Sequence, residues 1–393
     1  MRWSRVKIDW LRPLLGQEAP FTTVHLDVTG EGEPAAREAR DRWRGLRRQL
    51  VSDGAPEATL DLIEEALTPP TGSARGRVVI ANPQGILVDR TLMAAPTSSS
   101  AVHGPVPALL PAALHNDEVV DHIVARVDRS GADLVRHHWG SADGDWHATV
   151  EGGHDDIEVT QTGPHQSRGE ARQHDSWERN AEAVAQELDR LCASEGPEVI
   201  ILTGDVRAVA LVKAELGQKA CDCVLEVPGG SRSAGAHEES FEAHVQEALD
   251  GYRARRTEKV LARYREGHGR QDGAVTSLAD VVDVLTKGQV AELVLAEDPA
   301  RTAEPEPTLW VGPEPLHLAV DEATLSDMGL TDLRQMPAST ALVRAALGQD
   351  AGLTFAPDGA AELIDGVGAV LRWSDGSTPH ESAPSLSSDA SRL

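Results

Sequence analysis

Gly163-Pro164-His165-Gln166 is the stretch whose residue types and spacing could do chemistry without a cofactor. A glycine-led loop ending in glutamine can set a neutral amide beside an ester carbonyl and a water. Hydrolysis of an aminoacyl ester needs little more than that positioning and a stabilised oxyanion. Arg168, two residues on, adds a charge that could meet phosphate. An ordinary surface turn fits the same residues equally well.

Other chemistries fit less well. Histidines gather around the loop at 137, 138, 147, 154, 165 and 174, in spacings that match no familiar ligand set, so solvated loop histidines are the plainer reading. Asp128 and Asp205 could serve a two-metal nuclease, but that chemistry needs several converging carboxylates. Asp128 falls at a turn and Asp205 opens a helix, where a cap is the simpler role. Cys221-Asp222-Cys223 could suggest a metal or redox pair, yet no second pair completes a zinc site, and strand packing is the expected role. The chain has no Walker loop, dinucleotide fingerprint or Ser/His/Asp order, so neither a cofactor nor a metal is expected.

The elements that must position the loop can be read from hydrophobic period. Ala181, Val184, Leu188 and Leu191 recur at helical spacing, and Pro197 ends that helix. Val199-Ile200-Ile201-Leu202 is an unbroken apolar run, as in a parallel strand covered on both faces. Upstream, the alternating segments 119–129, 132–138 and 145–150 predict a three-strand meander. A meander followed by helix and strand in alternation is the order of a ribonuclease-H-like fold. This gives a middle domain over 109–266, closed by a long helix from Glu238.

Residues 1–100 read as a small α/β domain, with a half-buried strand at 24–28, helices through 34–51 and 56–67, and strands at 77–81 and 85–88. Ala94 to Pro107, rich in Ser, Pro and Ala, reads as a linker. Residues 274–373 read as a C-terminal α/β domain, with a helix at 275–285 and a last strand at 370–373. The stretch 374–393 lacks apolar period and is expected to be disordered.

Composition narrows the function class. The 393-residue chain carries a net charge of −26, so its bulk repels nucleic acid and anionic membrane. Any RNA binding must rest on local basic faces. Two segments qualify: Arg37, Arg40, Arg44, Arg47 and Arg48 on the first long helix, and Arg253, Arg255, Arg256, Lys259 and Arg263 on the last half of the helix from Glu238. The odd count of three cysteines, the charged N-terminus and the absence of a long apolar run predict a cytoplasmic protein with no membrane partner.

Several phrases carry a family resemblance: Trp177-Glu178-Arg179-Asn180-Ala181, Glu198 to Asp205, Val290 to Asp298, and Leu363-Ile364-Asp365-Gly366-Val367-Gly368-Ala369-Val370-Leu371-Arg372-Trp373. From about Pro20 to Trp373 the chain resembles the archaeo-eukaryotic release factor superfamily, which includes Pelota, and within it the bacterial Balon-type actinobacterial ribosome hibernation factors. The resemblance implies a three-domain factor in the ribosomal A site, its N-terminal domain toward the decoding centre and its middle-domain loop toward the peptidyl-transferase centre. It implies a C-terminal domain like a kink-turn-binding ribosomal protein, contacts with ribosomal RNA, elongation factor Tu as a further partner, and a monomer off the ribosome. Termination in this superfamily uses Gly-Gly-Gln, from which Gly163-Pro164-His165-Gln166 departs. Occupancy of idle ribosomes without catalysis is therefore the first expectation. The alternative is a ribosome-rescue peptidyl-tRNA hydrolase of the Gly-x-x-Gln kind, with Gln166 positioning the water.

Overall fold

A computed structural model describes residues 9–30, 32–67, 75–92, 95–96, 98–110, 113–114, 120–137, 146–151, 166–232, 238–270, 272–297 and 306–379, with only the backbone for 166–176. The chain is mixed α/β and forms two compact units, one of residues 1–119 with 255–393 and one of residues 120–254. The segment 380–393, expected to be disordered, lies outside the described residues.

In the unit of residues 120–254, β5 (His122–Asp128), β6 (Gly131–His137) and β7 (Trp146–Glu151) form the antiparallel meander. β8 (Val199–Gly204) and β9 (Val224–Glu226) then add in parallel, giving the sheet order β7-β6-β5-β8-β9. The short apolar run explains how β8 becomes central. Ile200 and Leu202 join a core with Ala181, Val184, Leu188 and Leu191 of α3 (Gln166–Ser194) and Val209 and Val212 of α4 (Val206–Glu215). Val199 and Ile201 point to the opposite face and meet Phe241, Val245 and Leu249 of α6 (Glu238–Gly269). A strand with both faces covered has no room for a polar alternation, which is why its sequence shows none.

Close backbone approach tightens this unit at Gly204. Its φ is +126°, and a Cβ there would lie 1.9 Å from the Val127 carbonyl oxygen. Gly204→Ala is expected to cost roughly 3 kcal/mol or more, through left-handed strain and overpacking together. Chemical denaturation followed by circular dichroism checks this, and an unchanged midpoint would contradict it.

Among the described residues the other unit forms three sheets. β1 (Phe21–Asp27), β2 (Gly76–Asn82), β3 (Gly85–Leu92) and β4 (Ser100–Gly104) stand in the order β3-β2-β1-β4. One face of this sheet, with Val24, Leu26 and Val79, buries Trp43 and Leu50 of α1 (Gly32–Ser52) and Leu60 and Ile63 of α2 (Glu57–Ala66). The stretch expected to be a linker thus contributes an edge strand. β4 pairs antiparallel with β1, where backbone hydrogen bonds and the Thr22–His103 contact do what small side chains cannot.

Further along, β10 (Ala274–Thr276), β11 (Val290–Ala296), β15 (Gly352–Ala356) and β16 (Val367–Leu371) form a sheet in the order β10-β16-β11-β15. β12 (Thr308–Val311), β13 (Leu318–Ala319) and β14 (Arg334–Pro337) form a separate three-stranded sheet. Val275, expected in a helix, lies in β10, and α7 (Leu278–Thr286) starts only after the Ser277 cap. The described segment continues past Trp373. Thr378 is buried, and its hydroxyl accepts from Gln289 Nε2 at 3.0 Å.

Candidate functional site

Helix α3 runs for 29 residues. Among its described side chains the first buried one is Asn180, whose Nδ2 donates to the Arg129 carbonyl at the β5–β6 turn, 2.7 Å away. Ala181, Val184, Ala185, Leu188, Leu191 and Cys192 then follow along one buried stripe. Yet the helix begins at Gln166. About 14 residues, or about 21 Å of helix at 1.5 Å per residue, thus lie between the helix start and Asn180. The expected polar loop is helical from Gln166 onward. Gly163, Pro164 and His165 lie outside the described residues, as do His138, His154 and the side chains of Gln166, Arg168 and His174.

The turn beneath α3 is held by charge. Asp128 accepts hydrogen bonds from Ser130 N at 2.8 Å, Ser130 Oγ at 2.6 Å and Gly131 N at 3.1 Å. Arg232 reaches Asp128 at 2.9 Å and Asp133 at 3.1 Å from the other side. Burial alone would raise the Asp128 carboxyl, but the bonds from Ser130 and Arg232 outweigh it and hold the group below its ordinary range. Asp205 caps α4, accepting from Arg207 N at 2.9 Å and Ala208 N at 3.1 Å. The two carboxylates are therefore engaged as a turn anchor and a helix cap. Among the described residues no group of three or more His, Cys, Asp or Glu side chains could hold a metal ion. Arg232 has no signal in the sequence, because its partners lie about a hundred positions away.

The two arginine segments divide differently from what sequence suggests. On α1, Arg37, Arg40, Arg44 and Arg48 are exposed and recur every three or four residues, opposite buried Trp43 and Leu50. Exposed acidic neighbours accompany two of them, Glu33 at 2.7 Å from Arg40 and Asp41 at 2.8 Å from Arg44. Such pairs are weak in water and yield readily to a phosphate. Arg47, expected on the same face, instead ties α1 to α2 through Asp61 at 2.7 Å and Glu64 at 2.8 Å.

On α6, Arg255 and Lys259 are exposed one turn apart. Arg256 departs from the expected basic surface: it is only 7% exposed, so it cannot serve as a surface phosphate contact. Arg263 is half-buried and donates to the Leu371 carbonyl at 3.1 Å. Arg253 pairs with Asp250. Reversing Arg255, Arg256 and Arg263 together would thus disturb the fold as well as any surface contact, and Arg255 with Lys259 is the pair that isolates surface charge.

Residues 121–270 match the family model of bacterial archaeo-eukaryotic release factor family 2. Two uncharacterized proteins of Mycobacterium tuberculosis, from strains CDC 1551 / Oshkosh and ATCC 25618 / H37Rv, are 27% identical over 374 residues, covering 94% of this chain and 97% of theirs. Among solved structures, Dom34 of S. cerevisiae, described as a translation termination-like factor, is 9% identical with a TM-score of 0.41 and 94% of each chain covered. Pelota of Archaeoglobus fulgidus is 11% identical with a TM-score of 0.32, covering 76% of this chain and 79% of that one. The likeness to bacterial archaeo-eukaryotic release factor family 2 is thus one of residues 121–270, the segment that the family model matches.

Proposed function

We propose that this release factor-like chain is a ribosome-associated factor that occupies the A site of idle ribosomes without releasing peptide, as the Balon-type hibernation factors do. The observation that carries this reading is the match of residues 121–270 to bacterial archaeo-eukaryotic release factor family 2, and the start of α3 at Gln166 offers one point of attachment. The exposed Arg37, Arg40, Arg44 and Arg48 row supports a second attachment through phosphates, on a chain whose net charge of −26 resists nonspecific RNA binding. Three working segments follow: 1–100 toward the decoding centre, 109–266 toward the peptidyl-transferase centre, and 274–373 toward the factor-binding side, where elongation factor Tu would join. No described helix is long and apolar enough to cross a membrane, which suits a cytoplasmic, ribosome-bound life.

The second reading keeps the same place and adds chemistry. Gln166 at the start of α3 would hold a water against the ester of a stranded peptidyl-tRNA. Both readings share one test of location. In sucrose gradients of stationary-phase lysate, the tagged protein is expected to run with ribosomes at low salt and to shift to the top as salt rises. A protein that stays at the top at every salt concentration would refute the ribosomal assignment.

A further inference from the structure

The N-terminal sheet is packed on two faces. On β2, Val79 and Ala81 join the α1 and α2 core, while Val78 and Ile80 point to the opposite face. Phe21 of β1 and Val88 and Leu92 of β3 belong to that second face, and all are buried. An antiparallel sheet can leave one face in water, with polar residues alternating along its strands. Val78-Val79-Ile80-Ala81 shows no such alternation, so the second face also needs a cover.

That cover comes from two distant parts of the chain. Leu11 and Leu14 lie in a 3-10 turn, Asp9–Leu14, and are 0% and 7% exposed. They belong to one buried cluster that runs from Val78 and Ile80 to Leu342 and Ala346 of α8 (Ala338–Gly348) and Leu353 of β15. Polar contacts fix the turn on each side. Toward the sheet, the Arg90 guanidinium of β3 lies over the Trp10 ring, 4.7 Å from its centroid. Asn82 Nδ2, at the end of β2, donates to the Glu18 carbonyl at 3.3 Å. Toward the C-terminal segment, Arg12 Nη2 donates to Asp350 Oδ1 at 3.0 Å, in the turn between α8 and β15. Trp10 thus meets the sheet and Arg12 the C-terminal segment, with buried Leu11 between them in sequence.

We propose that Asp9–Leu14 is a coupling strap, which makes the N-terminal sheet and the α8–β15 segment open as one body. By sequence these fall in separate domains, 1–100 and 274–373. The shared cluster opposes that division, because parting the two segments would return apolar faces of both to water. The leucines supply most of the hold. Arg12 and Asp350 are 48% and 69% exposed, so their bridge sets the position of the strap more than its strength. Every contact lies within one unit, so the inference stands apart from the ribosomal reading. In that reading, the segments assigned to the decoding centre and to the factor-binding side would act as a single arm.

The test is native-state hydrogen exchange on the full-length protein at low guanidinium concentrations, without ribosomes. In the wild type, the slow amides of β2 and β3 and those of α8 and β15 are expected to share one opening free energy and one denaturant slope. Separate slopes would overturn the proposal without any variant. A Leu11→Ala, Leu14→Ala protein then removes the buried side chains. Exchange is expected to quicken in β2–β3 and in α8–β15 together, by roughly 30-fold or more. Protection of β8, α4 and α5 (Gln218–Cys221), in the other unit, should hold. Faster exchange confined to β2–β3 would make the turn a part of the N-terminal sheet alone, and unchanged exchange would make it a passive end. Either result overturns the strap. If the double variant does not fold, the wild-type slopes decide.

Discussion

If the proposed ribosome binding holds, replacing Arg37, Arg40, Arg44 and Arg48 by glutamate is expected to release the protein from ribosomes at salt concentrations where the wild type stays bound. The reason is counterion release. Each phosphate neutralised by an arginine contributes about −0.9 to the slope of log affinity against log salt on duplex nucleic acid, so four contacts contribute roughly −3.6. Over a fourfold rise in salt that alone changes affinity on the order of 100-fold. The quadruple variant should bind more weakly by at least that factor at low salt and show a visibly flatter slope.

Its fold should survive, because the exchanged side chains are exposed, while α1 is anchored elsewhere by Trp43, Leu50 and the Arg42 and Arg47 bonds to Asp27, Asp61 and Glu64. The helix dichroism and thermal midpoint serve as controls. Pelleting with ribosomes at several salt concentrations measures the effect. Unchanged pelleting and an unchanged slope would mean that the row is only a solvated helix face, its charge answered by Glu33 and Asp41. The companion variant, Arg255 and Lys259 to glutamate, asks the same question of α6 without touching buried Arg256.

Much of this arrangement was legible in the residues. The run Val199–Leu202 announced a strand covered twice, and α3 and α6 supply the two covers. The stripe of Ala181, Val184, Leu188 and Leu191 announced the packed part of α3. In sequence its first part looks like loop, because 166–176 carry no apolar period and a helix shows in sequence only where it has one. Ser100–Gly104 was hidden for a related reason: an edge strand held by backbone bonds to β1 needs few apolar side chains. Charge type misled at Arg256 and Arg47. An arginine counted on a helical face tells nothing of whether its guanidinium meets water or a carboxylate from the next helix. The Asp128–Arg232–Asp133 clasp was illegible because only folding brings those positions together.

Gln166→Ala separates a factor that occupies the ribosome from one that cleaves on it. If the loop acts by shape and contact, the variant pellets with ribosomes as the wild type does, and neither protein frees labelled peptide from stalled ribosome–peptidyl-tRNA complexes. If the loop is catalytic, wild type frees the peptide rapidly, and losing the amide that holds the water costs on the order of 100-fold or more in rate, with binding little changed. A loss in rate without a loss in binding is what removal of a group needed only in the transition state must produce. Occupancy is the expected outcome for a reason of size. Pro164 and His165 stand before the glutamine where the Gly-Gly-Gln pattern has its two glycines, and a ring next to the amide leaves less room for the ester and water to approach together. A Pro164→Gly, His165→Gly variant sharpens the point. Under the occupancy reading, clearing that bulk gives the loop a glycine pair before Gln166, and peptide release should rise above the wild-type background. Release already rapid in the wild type, abolished in Gln166→Ala and unimproved by the glycine pair, would instead establish the hydrolase.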